Sequence, residues 1–178
     1  MRNSKSGFSL IEILVSAFVL AFGVIGAIGM QLSALRTTQQ SILQTQALHL
    51  AVDMADRMRA SLPYMRMPEA DNPYLRVDFQ SGQQVSNAGL DCHAGCDPLQ
   101  MARSDIAEWL LRLDRSLPDA RVRICRDARQ GTAGIGWNCE AGAGLAPVVI
   151  KIGWRDKDGT TAENAAPRLN LLVASFPP

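Results

Sequence analysis

The residues with the types and spacing that chemistry needs lie mostly at the amino end of this chain. Met1-Arg-Asn-Ser-Lys-Ser-Gly7 is short, basic and closed by glycine, Phe8 follows, and Glu12 is the one ionisable side chain between Lys5 and Arg36. A carboxylate carried into hydrocarbon on a helix costs about 2.5–3.5 kcal/mol, so Glu12 calls for a partner of opposite charge. Four cysteines, Cys92, Cys96, Cys125 and Cys139, follow in the second half. Four allow three disulfide connectivities, which sequence alone does not choose among; local pairing, Cys92 with Cys96 and Cys125 with Cys139, is the preferred one. His93 adjoins two thiols, but a zinc site wants four ligands and no second pair is present, so no metal is expected. His49 and His93 are the two histidines, and no nucleophile, base and orienting acid recur in a recognisable arrangement. The Gly-rich stretch from Asp127 to Gly144 has no Gly-Lys-Ser ending for a phosphate cradle. The chain is therefore not expected to be an enzyme or to hold a cofactor. Arg126, Asp127 and Arg129 read as a solvated turn of mixed charge.

These residues hang on a simple order of elements. Ile13 to Leu35 carries no charged side chain, and 23 residues at about 1.5 Å each span roughly 34 Å, enough for a bilayer core of about 30 Å. That run is too long for a signal peptide core, and no small-residue cleavage pattern follows it cleanly. Arg2 and Lys5 flank its start, which places this end in the cytoplasm and the rest outside it, where disulfides persist. No proline occurs between residues 8 and 62, so one helix of about 54 residues is expected, ending before Pro63. In its second half Leu43, Ala47, Leu50, Met54 and Met58 form a stripe suited to packing on a sheet. Gly23, Gly26 and Gly29 punctuate its first half, where small residues let helices approach closely.

Pro63 to Pro98 reads as loop, with a short strand at Leu75–Phe79. Asp97-Pro98 opens a second helix running to about Ser116 and burying Ile106, Leu110, Leu113 and Leu117, with Trp109 at the edge of that face and its indole N–H in water. Three strands follow, Arg121–Cys125, Pro147–Trp154 and Leu169–Phe176, with no crossover helix between them, which predicts an antiparallel sheet. The loop between the first two is closed by Cys125 and Cys139, with Trp137 as its anchor. The chain has 18 basic and 17 acidic side chains; loss of Arg2 and Lys5 leaves 16 against 17, no basis for binding nucleic acid.

The amino-terminal block resembles that of a type IV prepilin: a short basic leader ending in Gly7, then Phe8, an apolar run and Glu12 at the fifth place of the mature chain. The resemblance implies cleavage after Gly7 by a prepilin peptidase and methylation of the new Phe8 amino group; the burial cost of Glu12 then suggests that its carboxylate pairs with that amine on a neighbouring subunit. Among major pilins a proline commonly stands where this chain has Gly29, a departure from the pattern. The order Cys-x₃-Cys, helix Asp105–Trp109, strand ending Arg-Ile-Cys-Arg126 and strand Val148–Trp154 looks like the PilV group of minor pilins. The implied fold is α+β, the type IV pilin fold: a leader at residues 1–7, a membrane and assembly half-helix at 8–35, and a periplasmic head at 36–178. The implied role is that of a minor pilin that primes pilus assembly and joins the tip complex, supporting adhesion and twitching motility. Its partners would be prepilin peptidase, other minor pilins, the major pilin and the inner membrane. A minor pseudopilin of a type II secretion system is the alternative within the superfamily; a membrane-anchored periplasmic enzyme or ligand-binding protein lies outside it.

Overall fold

In the computed structural model the described residues are 9–85, 95–129, 136–140, 146–155, 159–162 and 165–174. They form an α+β type IV pilin fold. The chain divides into two units, Met1–Gln39 and Gln40–Pro178. Helix α1, Leu10–Ala60, runs through the stretch that lacks proline. In the first unit every described residue is exposed, including Leu14, Phe18, Phe22, Ile25 and Leu32. This helix is long and apolar enough to cross a membrane.

In the second unit α1 buries Ala47, Ala51, Met54, Ala55 and Met58, with Leu43 and Leu50 packed beside them. Three of those five are alanines, which let the helix backbone approach its neighbours closely. The helix stops at Ser61, whose N–H still reaches the carbonyls of Arg57 and Met58, and Pro63 falls in the first turn of the four-residue helix α2, Leu62–Met65. Proline is tolerated there because that N–H would have no intrahelical acceptor. Buried Asn72 then organises the proline-rich chain: its amide donates to the Tyr64 carbonyl at 2.7 Å and its oxygen accepts from the Tyr74 N–H at 3.0 Å. The expected strand at Leu75–Phe79 is instead a single 3₁₀ turn, Tyr74–Arg76, followed by strand β1, Asp78–Gln80. Tyr74 and Leu75 are buried in that turn, so tertiary packing outweighs the β-propensity of the segment.

Helix α3, Pro98–Ser116, begins with a full capping box. The Asp97 carboxylate accepts from the Gln100 N–H at 2.7 Å and the Gln100 side chain accepts from the Asp97 N–H at 3.0 Å, satisfying two otherwise orphan donors. Trp109 is not at the edge of the buried face but in its centre, with no exposed surface. Its indole N–H donates to the Leu50 carbonyl of α1 at 2.9 Å, a protein partner where water was expected. Asp53 of α1 receives Arg57 at 3.3 Å and Arg112 of α3 at 2.9 Å, and Arg57 also holds Asp105 of α3 at 2.9 Å. These side chains are partly exposed, so each pair is worth about 0–1 kcal/mol and acts mainly to fix how the two helices face each other.

The sheet follows chain order, β1-β2-β3-β4, each neighbour antiparallel, with β2 at Arg121–Arg126, β3 at Val148–Gly153 and β4 at Leu169–Ala174. Along β2 and β3, Val122, Ile124, Val148, Ile150 and Ile152 join the α1 and α3 residues in one core. Arg126 has the same parity, pairs with Val148, and is buried. It donates to the carbonyls of Ala146 at 3.1 Å and Met65 at 3.3 Å. A register irregularity between Val148 and Val149 sets β4 one residue off, and the Val173 carbonyl is taken by Arg59 of α1 at 2.9 Å.

Trp109→Ala is expected to destabilise the fold by about 3–5 kcal/mol through the cavity it leaves, whereas Trp109→Phe keeps a ring and costs about 1–2 kcal/mol for the lost hydrogen bond and volume. Urea unfolding followed by circular dichroism separates the two; equal losses would contradict the cavity as the main cause.

Candidate functional site

Two regions hold the residues singled out by sequence. The first is the start of α1. Gly7 and Phe8 lie outside the described residues. Glu12 stands in the first turn of α1 with its N–H on the Ser9 carbonyl at 3.0 Å, where the positive end of the helix dipole favours a carboxylate. Leu10, Ile11, Ile13 and Leu14 around it are all exposed, and among the described residues Glu12 has no ion-pair partner. Phe18 and Phe22, one turn apart, meet edge to face at 4.6 Å. Nothing lies within 4 Å of where a side chain on Gly23, Gly26 or Gly29 would project, so these glycines are open to whatever covers the helix.

The second region is the loop between β2 and β3. A disulfide joins Cys125 to Cys139, with Cα atoms 6.3 Å apart and a separation of 14 in sequence. Cys96 is not a free thiol; Cys92 and His93 lie outside the described residues. His49 is exposed on α1. The parity that sends Ile150 and Ile152 into the core sends Lys151 to the opposite face of β3, yet its side chain is only 1% exposed. Its ammonium donates to the Asp127 carboxylate at 2.6 Å and to the carbonyls of Gly136 and Asn138 at 2.8 Å each, so all three donors are used. The other Asp127 oxygen accepts from the N–H groups of Arg129 at 3.1 Å and Glu140 at 3.3 Å. Burial alone would raise the Asp127 carboxyl, but the Lys151 ammonium and the two backbone donors outweigh it and hold the group below its ordinary range.

The expected solvated turn at Arg126, Asp127 and Arg129 is therefore corrected: Arg126 and Asp127 are buried, one on each side of the sheet, and Arg129 is paired with Glu140 at 3.2 Å. Trp137 completes the cover. Its N–H is shared between the carbonyls of Ala165 at 2.7 Å and Ala162 at 3.1 Å, and the Arg121 guanidinium lies 4.4 Å from its ring. The ring rests on Gly153, where a Cβ would come within 2.8 Å of it, so only glycine admits this contact. At the next turn Asp119, at positive φ of 46°, is bonded to Arg155, which lowers its carboxyl from the ordinary value.

Chemically this is a clasp. Its charged groups are saturated by one another, which leaves none of them poised to attack or to transfer a proton. Among the described residues no cluster of three His, Cys, Asp or Glu could hold a metal. A cleft of about 650 Å³ between α3 and β1 is lined by Phe79, Val85, Ile106 and Leu110 together with Arg76 and Arg103.

Comparison with known families finds the prokaryotic N-terminal methylation motif over residues 2–28. No curated protein and no solved structure matches the chain. The matched stretch includes Gly7, Phe8 and Glu12, and with the fold it supports the type IV pilin superfamily. It implies processing by a prepilin peptidase and fits a membrane-anchored pilin or pseudopilin.

Lys151→Met strands a buried carboxylate and is expected to cost about 3–5 kcal/mol, measured by urea unfolding. The pH dependence follows from Asp127. Because its folded value is depressed, its stabilising share is fully present above the unfolded value of about 3.9 and disappears as pH falls through the folded one. Unfolding midpoints should therefore drop below about pH 4, and Asp127→Asn should flatten that drop while lowering stability at neutral pH. An unchanged acid slope in Asp127→Asn would show that other carboxylates carry it.

Proposed function

We propose that the chain is a minor pilin, a structural subunit of a type IV pilus rather than a catalyst. Residues 1–7 are the leader, 8–35 the membrane and assembly half of α1, and 36–178 the periplasmic head. The observation that carries this reading is the coincidence of the Gly7-Phe8 motif and Glu12 with a helix none of whose residues from 10 to 42 is buried by its own chain. Such a surface needs lipid before assembly and other helices after it.

In this reading a prepilin peptidase cuts after Gly7 and methylates Phe8, leaving a cationic amine at the end of an apolar helix. That amine and the Glu12 carboxylate are each poor tenants of hydrocarbon, and a carboxylate of one subunit meeting the amine of its neighbour relieves both. An axial offset of one helical turn, about 5.4 Å, would separate the pair, so neutralisation also sets the register of assembly. The PilV-like order of the head supports a place among the minor pilins that prime the fibre and cap its tip, in contact with the major pilin, and through it a part in adhesion and twitching motility. Pseudopilins share the amino-terminal motif. Loss of surface fibres on deletion, with secretion intact, supports the pilus; loss of secretion with fibres intact supports the pseudopilin.

Replacement of Gly7 by leucine should leave the leader attached, and mass spectrometry of the amino terminus should find the uncut chain; a mature terminus other than methylated Phe8 would contradict this processing. Glu12→Leu should be inserted and cleaved normally yet be recovered in sheared fibres and minor-pilin complexes at a small fraction of the unaltered protein, with Glu12→Asp between. Equal recovery of Glu12→Leu would remove the pairing role.

A further inference from the structure

Several of the contacts that hold the clasp over β3 involve no sulfur. Lys151 binds three loop positions at once, the carboxylate of Asp127 and the carbonyls of Gly136 and Asn138. The loop ends are also tied to each other: the Ala128 N–H donates to the Glu140 carbonyl at 2.8 Å and the Glu140 N–H donates to Asp127 at 3.3 Å. These contacts touch Asn138 and Glu140, the residues on either side of Cys139. Trp137, two residues before it, is fixed by its two carbonyl partners. Cys125, at the other end, lies in β2 opposite Val149 of β3. Each sulfur is thus flanked by contacts other than their bond.

Four cysteines can pair in three ways, and thiol–disulfide exchange joins whichever thiols are held together. We propose that Lys151 is a positioning residue for oxidation: it docks the loop in the reduced chain and so selects Cys125–Cys139 over the other connectivities. The step is a two-electron exchange with a small disulfide such as oxidised glutathione. The thiolate of Cys139, the less buried of the two, attacks the glutathione disulfide and releases one glutathione thiolate. The thiolate of Cys125 then attacks the mixed disulfide at the Cys139 sulfur and releases the second. Both cysteines are oxidised, one glutathione disulfide is reduced to two thiols, and the two cysteine protons pass to those thiols. The ammonium of Lys151 supplies geometry and no proton.

The full-length chain in detergent micelles tests this in two ways. In Cys125→Ala/Cys139→Ala, amide hydrogen exchange of Ala128 and Glu140 should remain protected, because their acceptors do not depend on the bridge; exchange as fast as in an unfolded peptide, with α3 amides still protected, would overturn the proposal. In glutathione buffers, the effective concentration of the Cys125–Cys139 pair should exceed by about a hundredfold the millimolar level of a flexible loop. Lys151→Met should lose most of that excess, and peptide maps should then show Cys125 or Cys139 joined to Cys92 or Cys96. Trp137→Phe, which keeps the ring and loses two hydrogen bonds, should fall about tenfold. An unchanged effective concentration in Lys151→Met, or in Trp137→Phe should the lysine variant fail to fold, would show that the bridge orders the loop rather than the reverse.

Discussion

A strand buried along its whole length must be covered on both faces, and β3 is such a strand. The hydrogen bonds of the sheet satisfy its backbone, but its side chains alternate, so two separate layers are required. One layer is helical: α1 and α3 meet Val148, Ile150 and Ile152 in a single core. Among the described residues the second has no helix to supply it. A loop does that work, stiffened by a disulfide, an ion pair and a tryptophan seated on glycine. The position of Gly153, the burial of Lys151 and the spacing of Cys125 and Cys139 all answer the same demand.

An ion pair at this depth has a double character. The desolvation of Lys151 and Asp127 offsets much of their attraction, so the pair adds less stability than its short distance suggests. Its value lies in being intolerant. A lysine with three donors accepts few arrangements of a loop, while an apolar residue in its place would accept many. The helices show a related division: Trp109 contributes the packing, and the partly exposed charges of Asp53, Arg57, Asp105 and Arg112 set orientation.

Much of this was legible in the residues. The Asp97-Pro98 start of α3 has a local cause, since the cap and the proline act within one turn, and the structure begins the helix there. The three main strands and their antiparallel pairing followed from alternation and the lack of any crossover helix, with ends of the first two shifted by one residue; the last two residues expected in the third, Ser175 and Phe176, lie outside the described residues. The clasp was harder to see, because Arg126, Asp127 and Arg129 in a row look like a wet turn when charge signs alone are counted. The signal was parity. Arg126 continues the phase of Val122 and Ile124, and a single lysine inside Val148-Val-Ile-Lys-Ile152 has to find an anion if the strand is buried on both faces. Trp109 likewise sits three residues from Ile106 and four from Leu113, in the stripe rather than beside it. Glu12 lies at the other extreme: it falls within a motif legible as a sequence pattern, and it is exposed on a helix whose packing does not express that pattern.

The Arg59 contact with the Val173 carbonyl has a consequence for how the border of the sheet would meet a foreign strand. A sheet border with free carbonyls is a template for a foreign strand, and such stacking grows without limit. Here a guanidinium from the long helix occupies one of those carbonyls, next to the one-residue irregularity that already bends the border out of line. A second molecule approaching this border would have to displace a cation before its first rung could form. Ladder growth through the sheets is thereby penalised at this position.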